Sequence, residues 1–170
     1  MDNNEVRFLA AEGRYGRFVA ARLRPGTDLI GGIMAVCRAH NIKQGYISCV
    51  IGSLKQAQYV LPITDASTPS GIRYGDLITI GGPIEFTSGQ GVICQSPDGE
   101  LMIHFHGCFC GPDGQSLAGH FSAGGNPVLV TAEMIITEIS GMRMMRRMDP
   151  EVGLMMMSLE QGEEQGCFRN

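Results

Sequence analysis

Apolar and polar residues alternate with a period of two through most of this chain, and one early stretch departs from that rhythm. Arg17-Phe-Val-Ala-Ala-Arg-Leu-Arg24 alternates as a strand does, and Pro25-Gly26 stops it. The next apolar positions, Leu29, Ile33, Val36 and Cys37, recur at helical spacing. Thr27 is the expected N-cap with Asp28 in the first turn, and Gly45 is the expected end of the helix.

Beyond the helix the period of two resumes. Tyr46 to Leu54 and Gln56 to Pro62 read as two consecutive strands, followed by a loop from Thr64 to Gly75 with turn chemistry from Pro62 and Pro69. Leu77–Ile80, Ile84–Thr87, Gly91–Gln95 and Glu100–Gly107 read as further strands. Ser96-Pro-Asp-Gly99 is a hairpin signal, and Pro112-Asp-Gly114 repeats its chemistry before Leu117-Ala-Gly-His-Phe121. Val128 to Ile139 is apolar on both faces, which suits a central strand or one covered by a neighbouring subunit. The pattern predicts an α+β domain: a mainly antiparallel sheet with one principal helix packed on it.

Length agrees with one domain, since 170 residues can bury a substantial core without disulfide staples. The start, Met1-Asp-Asn-Asn-Glu, lacks the basic and apolar segments of a signal peptide, and no apolar run reaches about 18 residues. Six cysteines, at 37, 49, 94, 108, 110 and 167, form no Cys-x-x-Cys pair. The expectation is a soluble, reduced, cytoplasmic protein with no membrane association.

Charge changes the picture further. A net −4 has the wrong sign for a domain held on nucleic acid mainly by phosphate neutralisation. The basic residues are eleven Arg and two Lys, with Arg7, Arg14, Arg17, Arg22 and Arg24 near one end and Arg143, Arg146 and Arg147 near the other. If the ends adjoin, these form a local basic patch, and Arg143, Arg146 and Arg147 are the candidate nucleic-acid contacts; otherwise they are solvated strand-edge charges. Seven of the eleven methionines lie between Met142 and Met157. They read as filling of a core or subunit interface, because strand alternation scatters them over two faces.

The candidate chemistry lies in Ile103-His-Phe-His106 and in His120. Residues two apart on a strand share a face, so His104 and His106 project together while Ile103 and Phe105 turn to the core. His120, on the next expected strand, makes a three-nitrogen set that suits Zn²⁺ and leaves a fourth position for water or another ligand. Cys108 and Cys110 share the parity of the two histidines and are alternative or supplementary ligands.

The order of these motifs resembles the PPC domain, a module shared by plants and prokaryotes that accompanies AT-hooks in plant nuclear proteins. The resemblance runs from about Arg17 to Leu159. It is carried by Leu23-Arg-Pro-Gly-Thr-Asp-Leu29, Ser48-Cys-Val-Ile-Gly-Ser-Leu54, Ile84-Glu-Phe86, Ile103-His-Phe-His106, Pro112-Asp-Gly-Gln-Ser-Leu-Ala-Gly-His120, Thr131-Ala-Glu-Met-Ile-Ile136 and Asp149-Pro-Glu-Val-Gly-Leu154. It divides the chain into an N-terminal extension (1–16), a PPC-like domain (17–159) and an acidic flexible tail (160–170). It implies an α/β sandwich, a homotrimer, and His104, His106 and His120 together on a metal, zinc by expectation. Two departures stand out: there is no Arg-Gly-Arg-Pro core of an AT-hook, and Ala118-Gly119 replaces the two glycines frequent before the histidine.

Two functions follow. One is a stand-alone, trimeric PPC module associated with DNA or regulation, with a His₃ metal site. The other is a zinc-dependent enzyme or small-molecule binder using the open coordination position. For an enzyme, Glu85, Glu133 and Glu138 are the candidate general bases by their place on expected strands, each with an ordinary surface reading beside it.

Overall fold

The computed structural model describes residues 6–162. They form β1 (Arg14–Leu23), α1 (Leu29–Ala39), β2 (Gly45–Val60), β3 (Pro62–Thr64), β4 (Ile72–Tyr74), β5 (Ile78–Gln95), β6 (Leu101–Cys110), β7 (Ser116–Phe121), β8 (Val128–Ser140), β9 (Met142–Asp149) and β10 (Leu154–Gln161). The chain is thus mostly β-sheet with a single short helix among the described residues. That helix is not long and apolar enough to cross a membrane.

Two long strands organise the rest. β2 pairs antiparallel with β5 from Gly45↔Ile93 to Tyr59↔Ile78, β5 pairs with β6, β6 with β7, and β7 returns to the end of β2 through Tyr59↔Phe121 and Val60↔His120. The four strands therefore close on themselves. β8 and then β1 extend the sheet from β2, while β9 joins the end of β5 at Gln95↔Met145 and carries β10. Where the sequence suggests two strands in β2 and three in β5, each is continuous. Register shifts between Leu54 and Gln56 and between Phe86 and Ser88 absorb the local irregularity as bulges, which bend a strand without ending it.

Inside the closure Phe86, Phe105, Phe109 and Phe121 are fully buried, with Tyr59 beside them. Phe121 is the hub, meeting Phe86 and Phe109 edge-on at centroid distances of 5.5 and 5.8 Å. Each such side chain contributes about 1.5–3 kcal/mol by leaving water. Leu29, Ile33 and Cys37 of α1 close another side of this core.

The helix begins one residue later than its sequence suggests. Asp28, in extended conformation, is the N-cap and accepts a 2.8 Å hydrogen bond from Gly31 N, so Thr27 is not the cap. The other carboxylate oxygen of Asp28 accepts from the backbone N–H groups of Gly125 and Asn126, at 3.0 and 2.9 Å, tying the helix to the β7–β8 loop. Burial opposes the charge on Asp28, but the backbone donors outweigh it and hold its pKa below the usual value. The helix ends at Ala39 with His40 as C-cap, and Gly45 instead opens β2.

The two Pro-Asp-Gly turns have one construction. Gly99 and Gly114 have positive φ and donate back to Ser96 O and Gly111 O, turning β5 into β6 and β6 into β7. The expected loop from 64 to 75 contains part of a hairpin, β3–β4, which forms a separate two-stranded sheet. β10 takes in Glu160 and Gln161 of the expected tail, and its residues 163–170 lie outside the described residues.

Candidate metal centre

The β6–β7 ladder positions the candidate ligands. Phe105↔Phe121, Gly107↔Gly119 and Phe109↔Leu117 are its inward rungs, and His106↔His120 is an outward one; His104 follows two residues before His106 on the same face. Glycine at 107 and 119 is a packing requirement. A Cβ at Gly107 would lie 2.4 Å from Phe86, and one at Gly119 would lie 2.3 Å from Tyr59. Core aromatics therefore press directly against the backbone that carries the histidines.

The three imidazoles converge. Their candidate ligand nitrogens lie within 4.8 Å of one another, and His104 Nε2 is 3.0 Å from His106 Nε2. A tetrahedral Zn²⁺ with bonds of about 2.0–2.1 Å needs nitrogens about 3.3 Å apart, so His104 and His106 are already near that spacing and no pair has to close by more than about 1.5 Å. His120 Nδ1 lies 3.3 Å from the Tyr74 hydroxyl, which leaves its Nε2 as the free nitrogen and orients the ring. The donor set fits a zinc-type ion held by three nitrogens.

Electrostatics keeps two of these rings neutral. Burial chiefly, then the positive charge of Arg146 and the neighbouring imidazoles, pushes His104 down to about 4. His120 is lowered by burial, His106 and Arg146 in that order. Neutral imidazoles are the form that binds metal.

Cys108 and Cys110 lie outside this cluster: Cys108 faces Ala118 one outward rung further along, and Cys110 faces Ser116. The candidate bases lie elsewhere as well. Glu138 pairs with Arg17 at 3.0 Å, Glu133 accepts from Thr131, and Glu85 faces Cys110 and Ser53 in the sheet. The arginines divide by strand parity. Arg143 and Arg147 reach Glu160 at 3.8 and 2.8 Å, whereas Arg146, on the opposite face, donates to Met155 O and acts on the histidines. The two ends of the described segment do meet, through Glu12 with Gln161 and Arg7 with Glu151, but Arg7 and Arg17 already hold acidic partners.

Tyr74 is the residue that sequence reading missed. Its only local signal was the apolar-polar-aromatic alternation of Ile72-Arg-Tyr74. The side chain belongs to a pocket of about 240 Å³ beside His106 and His120, walled by Val60, Leu61, Pro62, Ile72 and Leu154. Among the described residues no carboxylate lines it.

Comparisons with known proteins agree with this architecture. A metal-containing protein from Archaeoglobus fulgidus superposes with a TM-score of 0.73 at 23% identity, covering 88% of this chain and 98% of that one. A plant- and prokaryote-conserved (PPC) protein from Pyrococcus horikoshii gives 0.72 at 23%, covering 88% and 97%. A "Putative DNA-binding protein" from Ralstonia eutropha gives 0.65 at 22%, covering 82% and 89%. At these identities the likeness establishes the fold. Bifunctional protein GlmU of a Synechococcus strain is 26% identical over 147 residues, 86% of this chain, but the chain spans only 21% of that relative. Residues 10–140 match the Plants and Prokaryotes Conserved (PCC) domain, and the chain belongs to that family.

Proposed function

We propose that this protein is a trimeric PCC-domain module built around a divalent metal, zinc by its donor set, held by His104, His106 and His120, and that it works by binding a small molecule at that centre. The convergence of three imidazoles on one outward face carries the reading. When bound, the metal supplies a Lewis-acidic position for a ligand. The protein residues hold neutral nitrogens ready, orient His120 through Tyr74, and place Arg146 as additional positive charge. Glu85, Glu133 and Glu138 do not line the pocket, so none of the candidate general bases supports base-assisted hydrolysis there.

Trimer formation is supported by exposed apolar side chains on β1, β2 and β8: Phe18, Ile51 and Val130. A DNA-associated role finds support in the descriptions of some similar structures. Against it stand the net charge of −4 and the ion pairs that occupy Arg143 and Arg147.

Elemental analysis of the purified, untagged protein beside His104→Ala tests the proposal. The expected result is about one zinc per chain, lost in the variant. A metal-free wild type that binds duplex DNA in a salt-sensitive way would replace this reading with the nucleic-acid one.

A further inference from the structure

The pocket beside the imidazoles has a composition that selects a ligand. Its walls are the aliphatic side chains of Val60, Leu61, Pro62, Ile72 and Leu154, and its one edge of polar chemistry is His106, His120 and the Tyr74 hydroxyl. Leu61, Ile72 and Tyr74 are 41%, 38% and 41% exposed, so much of this apolar surface remains uncovered by the chain itself. Arg73 also lines the recess, but its guanidinium is paired with Asp65 at 3.1 Å and donates to Tyr74 O. It therefore already has an acidic partner.

Charge at the polar edge has one sign. Among the described residues the wall has no Asp or Glu, the imidazoles contribute no negative charge, and Arg146 adds a positive field at His104 and His120. A metal there increases the positive charge. An anionic group is favoured at that end, and hydrocarbon at the other. At about 240 Å³ the recess is smaller than the roughly 300–1,000 Å³ of ordinary ligand pockets, which matches a ligand body of only a few carbons.

We propose that this recess binds a small carboxylate with a short branched hydrocarbon body, its anionic end over His106 and His120 on the metal they would hold and its body against Leu61, Ile72 and Leu154. The inference rests on the metal-centre reading and names the ligand class for that site. Tyr74, at the junction of the two parts, is a positioning residue: its hydroxyl holds His120 while its ring walls the recess.

The test uses the full chain loaded with Co²⁺, whose content is measured first and whose visible absorption then reports ligand exchange. Acetate, 3-methylbutanoate and 3-methylbutanamide are titrated separately. Burial of three additional carbons should make 3-methylbutanoate at least about tenfold tighter than acetate, and the neutral amide should leave the spectrum unchanged. Ile72→Ser and Leu154→Ser should each reduce the ratio between the two carboxylates. Bound cobalt with equal affinity for acetate and 3-methylbutanoate, or with equal response to the amide, overturns the carboxylate proposal while leaving the metal centre standing. Failure of the wild type to take up cobalt or zinc overturns both.

Discussion

His106 and His120 face each other directly across β6 and β7, on the rung beside Gly107 and Gly119. The candidate donors and the close backbone-to-aromatic packing at Gly107 and Gly119 are thus one residue apart. Gly119→Ala should strain both: its Cβ would meet Tyr59 at 2.3 Å, costing about 1–3 kcal/mol and moving the backbone that bears His120. A lowered Tm together with weakened zinc binding in a chelator competition is the expected outcome. Unchanged affinity would uncouple the site from the core.

Tyr74→Phe separates orientation from folding. Tyr74 is 41% exposed, so removal of its hydroxyl should leave Tm nearly unchanged while metal affinity falls by about 10–100-fold, as expected for loss of a group that orients a metal-binding ring. Chelator competition and thermal unfolding on the same samples check both halves.

Asp28 supplies the acid limb of stability. Its folded pKa lies below the ordinary carboxylate value of about 3.9, so on acidification the unfolded chain takes the proton first. Its contribution is present in full above that ordinary value and is lost as pH falls through the folded value. Asp28→Ala should cost about 1–3 kcal/mol at pH 7, and the gap from wild type should close at low pH in denaturant unfolding followed across pH.

Cys108 should be dispensable to the metal centre: Cys108→Ser is expected to retain wild-type zinc in elemental analysis, and loss of metal would bring its thiolate back into the ligand set. Burial pushes the thiols of Cys37 and Cys94 up to about 11, with nearby arginines opposing it only partly. Iodoacetamide should therefore label the exposed Cys108 well before either, as read by peptide mass spectrometry.

Ile51→Arg tests the assembly. Placing a long charged side chain in the groove lined by Ala20, Arg22, Cys49, Glu133 and Ile135 should dissociate a trimer that uses the β1–β8–β2 face. Light scattering should give a mass near one chain, 18.3 kDa, for the variant and three for the wild type.

Strand parity made the histidine face legible, because His104 and His106 need only a period of two and His120 follows a turn with a clear signal. The inward turn of Phe105 was legible for the same reason, whereas its partners Phe86, Phe109 and Phe121 were not singled out. Strand continuity was not: Gly81, Gly82 and Pro83 carry the chemistry of a turn, yet pairing with β2 holds them within β5. The cap at Asp28 instead of Thr27 depends on Gly125 and Asn126, nearly a hundred residues away, and local propensity has no access to them. Tyr74 was hidden because its role arises only when β4 reaches β7. The arginines of β9 look like one patch in sequence, whereas alternation gives Arg146 to the histidines and Arg143 and Arg147 to Glu160.

The β3–β4 hairpin has its own sheet and its own internal ties, with Arg73 on Asp65 and Thr68 on Ile72 O. It contributes Ile72 and Tyr74 to the recess but none of the three imidazoles. A change at Pro62, Ile72 or Arg73 therefore reshapes the recess without touching an imidazole, whereas Tyr74 is the one hairpin residue through which a change of selectivity would carry over to the donor set.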